Sequence, residues 1–194
     1  MNCACFRYGL FNRICNALMI FCVCVASSVR AEPKTIVAFG DSLTQGYGLP
    51  ADLGFVPKMG YWLGAQGVSV RMVNAGVSGD TTAGGLARLD WTLAETADLV
   101  IVNLGSNDML RGLDPRLTYD NLQKIMAKLH NKNIQTLLIG HLAPLNYGKD
   151  YKKNYDQVFQ QIAIENDTEF YPYFFEALVA IGEVVPNMQL YFQA

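Results

Sequence analysis

The chain has 194 residues, of which 51% are hydrophobic and 16% charged. That is length for one domain and apolar content for a core that needs no disulfide or metal staple. The balance excludes a disordered or low-complexity chain, and a formal net charge of −2 offers no basic field for a nucleic acid.

All five cysteines, Cys3, Cys5, Cys15, Cys22 and Cys24, lie near the amino terminus. Arg7 and Arg13 flank the start of an apolar run from Ile14 to Ala26, and Val29-Arg30-Ala31 makes a small-x-small site before Glu32-Pro33. This is the layout of a secretory signal peptide over 1–31, and the run is shorter than the roughly 20 residues of a membrane span. The expected mature chain, 32–194, is one domain without a stable membrane span. Without Arg7, Arg13 and Arg30 it carries 12 basic and 17 acidic residues, a net charge of −5. It also has no thiol, which excludes disulfide frameworks and cysteine metal sites together. Its chemistry must rest on oxygen and nitrogen groups.

Beyond the leader, short β-branched or aliphatic runs alternate with stretches of helical period. The expected strands are Thr35 to Phe39, Val68 to Val73, Leu99 to Leu104, Thr136 to Ile139 and Glu169 to Tyr171. A helix is expected within Ala51 to Ala65, and Gly79-Asp80-Thr81 opens another with Leu86, Leu89 and Leu93 on one side. Leu122, Ile125, Met126 and Leu129 follow the i, i+3, i+4, i+7 pattern after a cap at Thr118. Tyr151, Tyr155, Val158, Phe159 and Ile162 do the same after Asp150. Apolar strands separated by single helices imply a parallel sheet covered on both faces. The expected fold is α/β, a three-layer α/β/α sandwich on a parallel sheet of about five strands. Trp62 and Trp91 are expected in its core.

Ligands of such sheets sit beyond the carboxyl ends of the strands. Three glycine-punctuated polar clusters follow the first three strands: Gly40-Asp41-Ser42-Leu43-Thr44-Gln45-Gly46, Asn74 to Thr81, and Gly105-Ser106-Asn107-Asp108. Ser42 would project from a strand-to-helix turn. The N–H groups of Ser42 and Gly79 and the side-chain amide of Asn107 could then surround a developing oxyanion, whose stabilisation usually contributes most to the catalysis of acyl transfer. Asp41 and Asp108 read as groups that pin these loops, Asp80 as a helix-start residue, and His130 as a cation near a helix C-terminus. A flavodoxin-like nucleotide binder is disfavoured, because neither G-x-G-x-x-G nor a P-loop is present.

These three clusters resemble the first three blocks of the SGNH (GDSL) hydrolase superfamily. Gly85-Leu86-Ala87-Arg88-Leu89 and Pro144-Leu145-Asn146-Tyr147-Gly148 resemble, more narrowly, its secreted bacterial arylesterase and thioesterase/lysophospholipase group. The resemblance runs from about Thr35 to about Gln189. It implies a flavodoxin-like fold, Ser42 as nucleophile, and an oxyanion hole of Ser42, Gly79 and Asn107. It further implies an acyl pocket bordered by Asn146 and Tyr147, a small ester, thioester or lysophospholipid as substrate, and no metal or organic cofactor. It also implies an Asp-x-x-His block late in the chain, followed by a final helix. Here Val185-Pro186-Asn187-Met188-Gln189 continues instead into Leu190-Tyr191-Phe192-Gln193-Ala194. The expectation is a truncation or frameshift near Gln189 that removes the base, its carboxylate and the helix, leaving impaired activity or an inactive acyl- or lipid-binding protein. Of the two histidines, His141 follows the fourth strand and is the candidate substitute base.

Overall fold

The structure, a computed structural model, describes residues 32–93 and 97–176. The expected leader 1–31 and the tail from Val185 to Ala194, with the helix expected to be missing there, lie outside the described residues.

Five strands form one sheet: β1 (Lys34–Gly40), β2 (Val70–Gly76), β3 (Leu99–Asn103), β4 (Gln135–Ile139) and β5 (Glu169–Tyr171). All neighbours pair in parallel, in the order β2-β1-β3-β4-β5. The helices are α1 (Ser42–Gln45), α2 (Phe55–Ala65), α3 (Thr82–Thr92), α4 (Ser106–Leu110), α5 (Pro115–Asn131) and α6 (Lys149–Glu165), with a 3₁₀ turn at Leu145–Tyr147.

Successive strand residues point to opposite faces, so each strand feeds two cores. On one face Val37, Phe39, Val100, Val102 and Leu138 are buried with Leu89 of α3, Leu122, Ile125, Met126 and Leu129 of α5, and Tyr155, Val158, Phe159 and Ile162 of α6. On the other, Ile36, Ile101 and Ile139 meet Phe55, Met59 and Leu63 of α2, and Phe174. The sheet is therefore covered on both sides, the condition for strands that are apolar on both faces.

Several boundaries differ from expectation for local reasons. β2 starts at Val70 because Gly67, at φ 79°, turns the chain first; it runs on to Gly76 because Asn74, Ala75 and Gly76 pair with Ala38, Phe39 and Gly40. Helix α5 begins before Thr118. Asp114 caps it, accepting from the Arg116 N–H at 2.9 Å, with Pro115 in the first turn. Asp150 lies inside the first turn of α6 rather than before it, and Thr81, not Asp80, caps α3 by accepting from Gly84 N–H at 3.3 Å. Trp62 and Trp91 are not core residues. They are 62% and 81% exposed, because each lies on the outer side of a helix whose inner side already meets the sheet through other apolar residues.

Register aligns the functional ends. Gly40 is opposite both Gly76 and Asn103, so β1, β2 and β3 finish level with one another. The chain passes from β1 outward to β2 and then back across to β3, which makes the β1/β3 boundary the switch point where a crevice opens.

Candidate active site

Ser42 stands at that switch point as the first residue of α1, two residues beyond the end of β1 and directly after Asp41, the cap of α1. Two glycines allow the approach. A Cβ on Gly40 would lie 2.1 Å from Thr44 Oγ1 and 2.6 Å from the Asn103 carbonyl oxygen. One on Gly76 would lie 2.2 Å from the Gln45 backbone nitrogen and 2.8 Å from the Asp41 carbonyl. The four-residue helix carrying Ser42 can lie against the ends of β1 and β2 only because both side chains are absent.

Asp41 is fully buried. Its carboxylate accepts from Leu43 N–H at 3.0 Å, from Asn107 Nδ2 at 3.3 Å and from Ser106 Oγ. Burial pushes this carboxyl above its ordinary value, opposed by the hydrogen bonds from Ser106, Leu43 and Asn107. Asp108, also buried, accepts from Thr82 N–H at 2.8 Å, Thr82 Oγ1 at 2.6 Å and Thr118 Oγ1 at 3.3 Å. One aspartate thus ties the β1 loop to the β3 loop, and the other ties the β3 loop to the starts of α3 and α5.

Asn107 bridges the same elements. Its Nδ2 donates to the Asp80 carbonyl at 2.9 Å as well as to Asp41. Gly79 lies next to Asp80 at φ 83°, with its own carbonyl held by Arg111 Nη2 at 2.8 Å. The Ser42 and Gly79 N–H groups have no hydrogen-bond partner among the described residues. For Ser42 the reason is its position, since first-turn amides of a helix have no intrahelical acceptor. Two unpaired amides and a side-chain amide therefore gather beyond β1, β2 and β3.

Arg88 lies in the 85–89 block that carries the narrower family resemblance, but no pattern in the sequence assigns it a role. Its guanidinium sits 4.4 Å from the centroid of the Phe39 ring, donates to Asp80 Oδ2 at 2.6 Å and to the Gly40 carbonyl at 2.9 Å, and so fastens the β2 loop to the end of β1. Only the tertiary crossing of α3 over β1 brings these groups together.

The remaining candidates divide. Asn146 and Tyr147 are exposed on the turn after β4; the Tyr147 hydroxyl donates to the Leu110 carbonyl at 2.9 Å. His141 lies on the same edge but is only 2% exposed. Its ring packs edge-on to Phe159 at 5.4 Å, its Nε2 has no hydrogen-bond partner among the described residues, and burial pushes its pKa down to about 4. His130 lines a groove of about 620 Å³ with Leu99, Gln135 and Glu169, at the amino ends of β3, β4 and β5. That is the edge away from Ser42. Among the described residues no cluster of histidine and carboxylate side chains could hold a metal ion.

The sequence profile of the GDSL-like lipase/acylhydrolase family matches residues 38–188. The chain belongs to this family. Esterase TesA of Pseudomonas aeruginosa is 37% identical over 161 residues, which cover 82% of this chain and 79% of that protein. Thioesterase 1/protease 1/lysophospholipase L1 of Escherichia coli K12 is 33% identical over 169 residues, covering 86% and 79% respectively. Among solved structures, the SGNH-hydrolase family esterase AlinE4 matches with a TM-score of 0.76 and 39% identity, over 80% of this chain and 84% of that one. The five-stranded parallel α/β fold of this GDSL-like family member is thus the fold of an SGNH hydrolase.

Proposed function

We propose that this member of the GDSL-like lipase/acylhydrolase family hydrolyses carboxylic esters and thioesters through a covalent acyl-enzyme on Ser42. The Ser42 Oγ attacks the carbonyl carbon while its proton passes to a base. The carbonyl oxygen, now negative, receives the N–H groups of Ser42 and Gly79 and the Nδ2 of Asn107. The C–O or C–S bond breaks, and the leaving group takes the proton. Water then attacks the acyl carbon, releasing the acid and restoring the serine hydroxyl.

The observation that carries this reading is the pair of unpartnered amides, Ser42 N–H and Gly79 N–H, beside the Asn107 side chain. The esterase, thioesterase and lysophospholipase names of the relatives support small ester, thioester or lysophospholipid substrates. Asn146 and Tyr147, exposed on the same edge, border the acyl side, and the chemistry uses neither metal nor organic cofactor. The leader layout over 1–31 supports export to a periplasm or the medium, and no helix among the described residues is long and apolar enough to cross a membrane.

His141 is the candidate base on this edge. Buried and neutral, it can accept a proton, but a pKa near 4 makes it a weak base at neutral pH. Slow turnover is the expected consequence, since an oxyanion hole and binding alone leave only about 10³–10⁴-fold over water in a serine protease. The burial of His141 also favours a second reading, an acyl-binding protein that keeps the oxyanion donors without turnover. Release of p-nitrophenol from p-nitrophenyl butyrate, with Ser42→Ala beside the unaltered chain, separates them. Turnover abolished by the substitution supports the hydrolase; no release above the variant supports the binding protein.

A further inference from the structure

Helix α4, which carries Asn107, has only five residues. A single turn has no stability of its own, so its position is set by what fastens it. Beside the bonds through Asp41 and Asp108, three tyrosine hydroxyls do this. Tyr155 Oη donates to the Gly105 carbonyl at 2.6 Å, Tyr147 Oη to the Leu110 carbonyl at 2.9 Å, and Tyr151 Oη to the Leu113 carbonyl at 2.9 Å. The first acceptor immediately precedes α4. The other two belong to its end and to the loop that follows, where the last carbonyls of a helix lack intrahelical donors.

The donors come from one row of rings. Tyr151, Tyr155 and Phe159 recur every fourth residue along one face of α6, Tyr151 stacked on Tyr155 at 5.9 Å and Phe159 edge-on to Tyr155 at 5.6 Å, and Tyr147 of the preceding 3₁₀ turn continues the row 5.2 Å from Tyr151. Tyr147 is 43% exposed, whereas Tyr155 is fully buried. Burial and the nearby Asp108 hold the Tyr155 hydroxyl protonated, its pKa well above the ordinary value, so it is a permanent donor. Gly105 sits at φ 124°, and the Tyr155 bond holds its peptide from outside α4, two residues before Asn107.

We infer that Tyr155 is a positioning residue for the Asn107 amide, setting the depth of α4 through the Gly105 carbonyl, with Tyr151 and Tyr147 holding the far end. The inference rests on the reading of Asn107 as an oxyanion donor. Tyr155→Phe is the informative substitution: the ring keeps its stacked contact with Tyr151 and its edge-on contact with Phe159, and the Gly105 carbonyl keeps its bond from Met109 N–H at 3.1 Å. The external tether is lost, together with the hydroxyl's contact with Thr118.

The test measures kcat, KM and Tm on p-nitrophenyl butyrate for Tyr155→Phe, Tyr151→Phe, Tyr147→Phe, Asn107→Ala and Ser42→Ala. The expected result is a fall in kcat of about tenfold for Tyr155→Phe with KM within twofold, and smaller falls for the other two tyrosine variants. An oxyanion donor is worth about 10²–10³ in kcat, and misplacing it forfeits part of that. In the double variant Tyr155→Phe/Asn107→Ala, the Tyr155 effect disappears, which a merely structural role would not produce. An unchanged kcat in a folded Tyr155→Phe variant, or an undiminished effect without Asn107, overturns the inference while Ser42-dependent turnover leaves the reading standing. Absence of Ser42-dependent turnover in the unaltered chain overturns both.

Discussion

The two edges of the sheet handle polar groups in opposite ways. Among the described residues, every buried polar side chain lies at or next to the carboxyl edge: Asp41, Thr44, Thr82, Asn103, Ser106, Asp108, Thr118 and His141. At the amino edge the charges stay in water, as in the Lys34–Asp98 ion pair, whose side chains are 73% and 42% exposed. Buried carboxylates must be satisfied by fixed donors, so they lock the loops that supply those donors. Exposed pairs fix little, because solvent replaces either partner at small cost.

The contrast can be broken most severely at Asp108. Asp108→Ala leaves the Thr82 and Thr118 groups facing it without their buried acceptor, and a loss of about 3 kcal/mol is expected in denaturant unfolding. His141 gives an effect of similar size but confined to acid. Its folded pKa of about 4 lies below the ordinary 6.5, so between those values the unfolded chain binds more protons than the folded one. The stability that neutral His141 contributes is complete above pH 6.5 and disappears as pH falls through 4, amounting to about 3 kcal/mol. Unfolding curves at pH 7 and pH 4 should show this loss in the unaltered chain and a smaller one in His141→Gln.

Asp41 sharpens the comparison with the opposite sign. Its folded pKa is raised, so its favourable contribution is complete below the ordinary 3.8 and is lost as pH rises through the folded value. Stability of Asp41→Asn should therefore slope less with pH just above 4 than that of the unaltered chain. At the amino edge, Lys34→Ala should leave Tm within measurement scatter. A shift as large as that of Asp108→Ala would mean that the two edges do not differ as their exposure implies.

The strands and the faces of α5 and α6 were legible because burial imposes a period on the sequence: Leu122, Ile125, Met126 and Leu129 share one side wherever α5 is placed. The glycine-punctuated clusters were legible too, because a close backbone approach excludes side chains at Gly40 and Gly76. Trp62 and Trp91 misled, since an aromatic side chain does not reveal which side of a helix it occupies once other apolar neighbours can fill the inner one. Arg88 and Tyr155 stand in a family-like block and on a helix face, but their partners were not legible, for a different reason. The carbonyls they hold, Gly40 and Gly105, lie 48 and 50 residues away, and no local pattern encodes a partner at that distance.

By itself the sequence determined the α/β alternation, the loops that follow each strand and the residue types available to them, because these depend on local period and on where side chains are excluded. Only the tertiary structure decided that Asp41 reaches Ser106 and Asn107, that three tyrosine hydroxyls bracket α4, and that His141 is buried against Phe159. Those facts follow from the strand order β2-β1-β3-β4-β5 and the level finish of β1, β2 and β3, which juxtapose loops far apart in the chain. Hydrogen bonds and burial act through space, so their consequences appear only once that juxtaposition is fixed.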